Sequence, residues 1–586
     1  MSRSAYFINS SNTIVDDNLE GTVLYCDGAY LDKKHRIVLR KDLETLKATG
    51  KVILICGGGS GHEPSHAGFV GKGMLSAAVC GDIFASPPVN NILTALHATY
   101  SPAGTVVIVK NYTGDRLNFG LAIEQFKIHN VDAKIDMILV EDDVATRNSP
   151  VGARGICGTV FLYKILGALA ENGNSFGEIV EYGHHLQKKI LTLGVSLAHC
   201  CIPGQKVRRA DVKKSDGKAS TETYEIGLGI HNEEGVEKRP LETVTAVVNS
   251  LLQTLLDNLR QADHDRFVLI FNNLGGLSQI EVNIVVKEVI SGAQGKGLSI
   301  PSIFVGSFMT SLAMPGFSVT LIPLDDHTER CLTSTTDCPF WPRMLPVNRE
   351  PFCTLPEITA HTPEIKSMEK DSSHTFSDDN STKFRLALNN ACDIVIQEAD
   401  RLNDIDAAAG DGDCGTTLKQ LGEETKVMIA DETTNFNNPT EVFWKLSVIA
   451  GNTGGTSGAL YGILFGAFAS KLKNVNDRAN WSYALEGALD IFMRYSRATP
   501  GQKSMLDALV ALEQSMRPLR EASVSMQNVL LQCVKDVEMA AENTKNLSAA
   551  VGRESYSGKS ATGIPDAGAY CVALWVKAAG ESLLQT

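Results

Sequence analysis

The chain has 586 residues, 43% of them hydrophobic and 21% charged, which is too long for one core and ordinary for a globular protein, so two or three domains are expected. A formal net charge of −13 argues against a broad nucleic-acid binder but leaves local nucleotide sites open. Thirteen cysteines, an odd number with no C-x-x-C pair, point to free thiols in a reducing cytoplasm; the opening MSRSAYFINSS has no apolar signal core, and no apolar run reaches the ~20 residues of a membrane span.

From about residue 40 to 340, short β-branched runs alternate with helical segments. KVILICGGG (51–59), TVVIVKN (105–111), KIDMILVEDDV (134–144), RFVLIFNNLGG (266–276) and SIPSIFVGSFMTS (299–311) read as strands. Continuous apolar strands between helices predict α/β layers with mostly buried sheets. The polar segment 203–222 reads as a surface loop or hairpin between two halves.

Three polar constellations lie at predicted strand ends. The run Cys56-Gly57-Gly58-Gly59-Ser60-Gly61-His62 allows close backbone approach to a small polar ligand. Its spacing is not G-x-G-x-x-G, and His62 is expected at a loop tip where the strand hands over to a helix, either as a functional group or as a surface or capping histidine. A second strand ends in Lys110-Asn-Tyr-Thr-Gly-Asp115. In Glu225-Ile-Gly-Leu-Gly-Ile-His231 the glycines predict a narrow strand with His231 at its end.

Residues 346–382 are rich in Pro, Ser, Thr and charge and read as a linker. Beyond it the apolar period changes to three and four, and the last ~200 residues read as all-α. The expected domains are 1–345, with halves about 1–195 and 196–345, and 383–586. In the helical part, Asp406, Asp411 and Asp413 sit in DIDAAAGDGDCGTT, where glycines let three carboxylates converge before a new helix. Such oxygens suit a hard cation such as Mg²⁺ that keeps positions open for phosphate. A turn with helix-capping Asp is the plainer alternative. Two further Gly-rich breaks, GNTGGTSGALYG (451–462) and GRESYSGKSATGIPDAGAY (552–570), suggest one rim around a nucleotide; neither a P-loop nor a protein-kinase signature is present.

GGGSGHEPSHAGFVGKGML, VKNYTGDRLNFGLA, EIGLGIHNEEG, NNLGGLS, GDGDCGTT, GGTSGALYG and PDAGA together resemble the single-chain, ATP-dependent dihydroxyacetone kinases, most of all their animal triokinase/FMN cyclase branch. The resemblance covers nearly the whole chain. It implies an N-terminal α/β triose-binding domain and a C-terminal antiparallel helical barrel that binds ATP and two Mg²⁺. It places the triose among Gly59, Ser60, Gly61, His62, Lys110 and Asp115. His231 is then the site of a covalent hemiaminal, with Asp115 and His62 handling the hydroxyl proton. Metal ligation falls to Asp406, Asp411 and Asp413, and nucleotide contacts to Asp411, Gly412, Asp413, Cys414, Thr456, Ser457, Ser496, Ser504, Met505, Asp566, Ala567 and Gly568. A homodimer is implied, in which the helical domain of one chain can face the triose domain of the other.

The chemistry agrees with these roles. A neutral imidazole adds to a carbonyl carbon such as a ketone's, which selects carbonyl compounds over glycerol. An ionised aspartate only accepts, as a base for a hydroxyl must. The chain departs from the family at Gln502, where an aspartate is usual, at Ser496, where glycine is common, and at Ala567, which replaces a proline. Two alternatives stand beside the kinase: an added FAD-AMP lyase activity giving cyclic FMN with Mn or Co, and a non-enzymatic triose sensor, against which the intact His231, Asp115 and aspartates argue.

Overall fold

The structure is a computed structural model that describes residues 5–204, 222–259, 266–347, 375–408, 410–550 and 563–585. The chain divides into two compact units, Met1–Thr354 and Leu355–Thr586.

The first unit holds two sheets. In the first, β1 (Ala29–Asp32), β2 (Ile37–Arg40), β3 (Ile53–Ser60), β4 (Ala77–Ile83), β5 (Thr105–Lys110) and β6 (Ile135–Val140) lie in the order β1-β2-β4-β3-β5-β6. β4, β3, β5 and β6 are parallel, and the β1–β2 hairpin joins antiparallel at β4. Both faces of β3 are covered: Leu54 and Cys56 face one core, Ile53 and Ile55 another. That double coverage is why these strands are written as unbroken apolar runs rather than alternating ones.

The second sheet contains β7 (Leu191–Ser196), β8 (Thr223–Ile226), β9 (Glu237–Pro240), β10 (Arg266–Asn273), β11 (Ser299–Gly306), β12 (Gly316–Pro323) and β13 (Leu345–Pro346), in the order β13-β11-β10-β12-β7-β8-β9. Only β10 and β11 pair in parallel. The helix Gly158–Glu171 is buried from Gly158 to Ala170. It packs against both sheets, with Phe161 meeting Phe304 and Phe308 at ring-centroid distances of 5.2 and 5.1 Å. An apolar helix with no wet face has to be enclosed on all sides.

The second unit is all helical among the described residues. Its first helix, Asp378–Gln397, begins inside the segment expected as linker. Ser377 caps it by accepting from Asn380 N, and Asp378 and Asp379 stand at the positive end of the helix dipole. Helices Cys414–Ala430, Pro439–Asn452, Gly455–Lys471, Arg478–Ser496, Met505–Met516, Met526–Asn543 and Ala567–Gln585 follow. The first helix packs on the last, where Asn390 Nδ2 donates to Ser582 Oγ (3.3 Å), and closes the ring. Leu418, Leu464, Leu489, Leu506 and Val572 fill its interior. No described helix is long and apolar enough to cross a membrane.

Candidate active site

β3 runs on through its glycines to Ser60, and no α-helix follows. A turn and a single 3₁₀ turn, Ala67–Phe69, lead instead toward β4. The expected handover to a helix is therefore corrected, and with it the surface reading of His62, which is 0% exposed. The glycines are needed for close approach. A Cβ at Gly58 would sit 2.7 Å from Lys110 Nζ, and one at Gly59 would sit 2.7 Å from Ala85 N. Ser60 and Gly61 contribute shape rather than spare donors: Ser60 Oγ donates to Gly81 O (2.8 Å), and Gly61 N donates to Glu63 (3.0 Å).

His62 Nδ1 lies 2.8 Å from Thr310 O. A carbonyl only accepts, so the proton sits on Nδ1 and Nε2 carries a lone pair. That Nε2 is buried and meets no hydrogen-bond partner. Burial first, then the charges of His231 and Lys110, hold the His62 pKa well below the usual range, so the ring is a neutral acceptor.

Lys110 and Asp115 converge beside it. Lys110 ends β5 with Nζ fully buried, 3.6 Å from Asp115 Oδ2. Asp115 stands in the first turn of the helix Thr113–His129 and also accepts from Ser86 Oγ. The second polar neighbour of Lys110 is His66, whose Nε2 lies 3.3 Å from Nζ. An ammonium only donates, so His66 Nε2 accepts and its Nδ1–H points to Cys56 Sγ (3.3 Å). Burial, with the Lys110 charge, keeps His66 neutral.

β8 stops at Ile226, where Gly227 turns into the left-handed region (φ +71°). His231 therefore sits in a loop, not at the end of a narrow glycine strand. Its ring is perpendicular to those of His62 (4.7 Å) and Tyr112 (4.4 Å). Its Nδ1 is 3.2 Å from Glu233 Oε1. Two histidines from loops that follow strands of different sheets, each with one nitrogen already committed, thus face each other beside a buried Lys–Asp pair.

In the helical unit, Asp406 closes the helix Ala399–Ala407, and Asp411 and Asp413 lie in the loop before Cys414. One oxygen from each lies within 4.8 Å of the others. Asp406 Oδ2 accepts from Gly412 N (2.9 Å), Asp413 N (3.1 Å) and Cys414 N (3.3 Å), which folds the loop around it. Gly412 takes φ +79°, and a Cβ on Gly410 would stand 2.6 Å from Asp406 Oδ1. Three carboxylates this close repel one another until a cation joins them, and an all-oxygen donor set fits Mg²⁺.

The expected nucleotide residues gather at helix N-termini. Cys414 Sγ meets Ser457 Oγ at 3.8 Å, both in first turns, with Thr456 beside them. Ser504 is the buried-hydroxyl N-cap of the helix that starts at Met505, its backbone N donating to Asp507 Oδ2 (2.8 Å). A Cβ on Gly568 would touch Met505 Cβ at 3.1 Å. Asp566 Oδ1 caps the last helix by accepting from Ala569 N (2.7 Å), so that Ala567 opens that helix and Gly568 lies inside it rather than before it. Tyr461 OH donates to Cys571 Sγ (3.5 Å), which ties two of these helices together. Such N-termini favour phosphate. Ser496 differs: it ends a helix and turns its hydroxyl to Ala498 N (3.2 Å). Gln502 keeps the acceptor an aspartate would supply, since its Oε1 takes Thr499 N (2.9 Å). The stretch 551–562 lies outside the described residues.

Residues 20–340 match the family model described as the Dak1 domain, and residues 408–581 that of the DAK2 domain. The chain belongs to the dihydroxyacetone kinase family. Triokinase/FMN cyclase of Mus musculus is 38% identical over 592 residues, covering 100% of this chain and 99% of its own. Dihydroxyacetone kinase 2 of Saccharomyces cerevisiae is 32% identical, with 96% of each chain covered. The crystal structure of the dihydroxyacetone kinase from C. freundii in complex with AMP-PNP and Mg2+ aligns with a TM-score of 0.67 at 30% identity, covering 99% of this chain and 100% of that one.

In this dihydroxyacetone kinase family member, the sequence reading missed Ser86, His66, Tyr112 and Glu233. His66 and Glu233 carried a faint signal, being polar residues four and two places after His62 and His231. Tyr112 lay inside the quoted run from Lys110 to Asp115, but nothing in it pointed to His231; Ser86 carried no signal, because only the fold brings it to Asp115.

Proposed function

We propose that this chain transfers the terminal phosphoryl group of ATP to dihydroxyacetone, with D-glyceraldehyde as a second acceptor. The carrying observation is the buried, unsatisfied His62 Nε2 beside His231, whose own Nδ1 is taken by Glu233. That leaves His231 Nε2 to add to the ketone carbon and form a hemiaminal, while His62 and Asp115 accept protons from the triose hydroxyls. Lys110, ion-paired with Asp115, orients the carboxylate and offers a donor to a hydroxyl. Gly59, Ser60 and Gly61 supply the close backbone wall.

In the helical unit, Asp406, Asp411 and Asp413 would hold two Mg²⁺ ions, which offset phosphate charge when bound. The helix N-termini around Cys414, Thr456, Ser457, Ser504, Met505, Ala567 and Gly568 would cradle the nucleotide. The same reading includes a cytoplasmic homodimer, in keeping with described cysteines that are all free thiols.

The test is coupled ATP consumption with dihydroxyacetone, D-glyceraldehyde and glycerol side by side. Turnover of both carbonyl compounds and none of glycerol is expected. Equal turnover of glycerol, or none of dihydroxyacetone, would overturn the proposal.

A second reading adds FAD splitting to AMP and cyclic FMN at the same aspartates, with Mn²⁺ or Co²⁺. It is favoured by the 37–38% identity to mammalian relatives called triokinase/FMN cyclase. Kinase-active protein that releases no cyclic FMN from FAD with Mn²⁺ would reject it.

A further inference from the structure

The loop that carries His231 is built from behind. Asn232 takes a left-handed conformation (φ +64°). Its side chain is held at both ends by residue 200: Cys200 N donates to Asn232 Oδ1 (2.9 Å), and Asn232 Nδ2 donates to Cys200 O (2.9 Å). This reversal folds Glu233 back under the histidine. One carboxylate then grips His231 twice, with Oε2 accepting from the backbone N (2.9 Å) and Oε1 lying 3.2 Å from ring Nδ1.

Gly229 makes room for this arrangement. A Cβ there would overlap Glu233 Oε2 and stand 2.6 Å from Arg154 Nη1. Arg154 is fixed in turn, donating from Nε to Asp143 Oδ2 (2.8 Å) and from Nη2 to Gly227 O (2.6 Å). Burial alone would raise the Glu233 pKa, but the hydrogen bonds and charge of His231 bring it down to about 2. The group that faces Nδ1 is therefore an ionised carboxylate near neutral pH.

A neutral imidazole exists as two tautomers, and only the one with hydrogen on Nδ1 leaves Nε2 nucleophilic. A carboxylate on Nδ1 selects that tautomer, as an acceptor does in other histidine-based sites. We propose that Glu233 is a positioning residue for His231, fixing the tautomer and ring direction that present Nε2 to the ketone carbon and offsetting the charge of the adduct; this rests on the hemiaminal reading above. In the step, the Nε2 lone pair forms the bond to carbon and the carbonyl π pair moves to oxygen. The oxygen takes one proton from solvent. Nδ1 keeps its hydrogen, so the adduct is an imidazolium facing the Glu233 carboxylate.

The experiment uses the full chain labelled with ¹⁵N-histidine, mixed with [2-¹³C]dihydroxyacetone, in the wild type, Glu233→Ala, Glu233→Gln and, as a neighbouring control, Glu234→Gln. In the wild type, a carbon signal distinct from ketone and hydrate and an Nδ1–H pattern at His231 are expected. Glu233→Ala loses the tautomer pattern and at least about tenfold of the adduct. Glu233→Gln, whose amide oxygen still accepts from Nδ1, keeps the tautomer but holds less adduct than the wild type, and Glu234→Gln matches the wild type. No adduct in the wild type would reject the hemiaminal reading itself. Wild-type adduct levels in both Glu233 variants, or in Glu233→Gln alone if Glu233→Ala does not fold, would reject the role of Glu233 and leave the hemiaminal standing.

Discussion

The two candidate sites, one in each unit, differ in what holds them together before anything binds. Around His62, Lys110 and Asp115 every charge is buried and already answered: ammonium by carboxylate and imidazole, carboxylate by Ser86. Around Asp406, Asp411 and Asp413 the carboxylates are exposed or half-buried and converge on one another. The first pairs its charges in advance because a buried charge without a partner costs several kcal/mol. The second can stay incomplete because water screens it until a cation arrives. A site that must recognise a small neutral molecule is built before binding; one that recruits a charged complex can leave its strongest contacts for that complex to make.

Breaking either side should therefore show as different quantities. Asp411→Asn should lower kcat by at least about 10³-fold while the melting temperature of the metal-free protein stays unchanged. Calorimetry together with the ATP-coupled assay separates the two, and equal loss of triose binding would mean the contrast is wrong. Lys110→Met should do the reverse kind of damage. It strands Asp115 and removes the donor to His66, at about 3–5 kcal/mol of stability, read by urea unfolding; a loss below about 1 kcal/mol would mean that the pair is not carrying the pocket.

pH sharpens the same contrast. His62 and His66 have folded-state pKa values pushed well below the ordinary 6.5. Their unfolded forms then bind more protons as pH falls below 6.5, so stability is full above that value and is lost on acidification. The slope is up to about 1.4 kcal/mol per pH unit for each histidine. Denaturant midpoints between pH 7 and 5 check this, and His62→Gln should flatten the slope. The smallest effect is expected at Gln502→Asp. Both side chains offer an acceptor to Thr499 N, so stability should move by less than about 0.5 kcal/mol, with any change confined to the KM for ATP.

Much of this was legible in the sequence because the chemistry there is local. Asp406, Asp411 and Asp413 lie within eight residues, and the loop that gathers them is written in the glycines between them. The site around His62 and His231 was harder. Runs such as TVVIVK announce buried strands, yet β4 and β12 passed unnoticed: their glycines and short polar steps mask the apolar pattern that packing completes. His62 was assigned to a loop tip because a Gly-rich run usually ends a strand. Here the strand runs through the glycines to Ser60, since β4 on one side and Ala85 on the other leave no room for a side chain at Gly57 or Gly59, and His62 falls in the bend just beyond it, buried rather than at a tip. Thr310 lies 248 residues from His62, and no spacing rule reaches that far.

The helix Gly158–Glu171, buried along nearly its whole length between the sheets, has a consequence for modularity. Its residues belong to neither half alone, so the triose unit cannot be cut at its midpoint into two folding pieces. A fragment ending after β6 would lack a lid for one face of its sheet, and a fragment beginning at β7 would lack the partner for Phe304 and Phe308. Inheritance of the two halves as one piece follows from this shared wedge, whatever substrate the pocket takes.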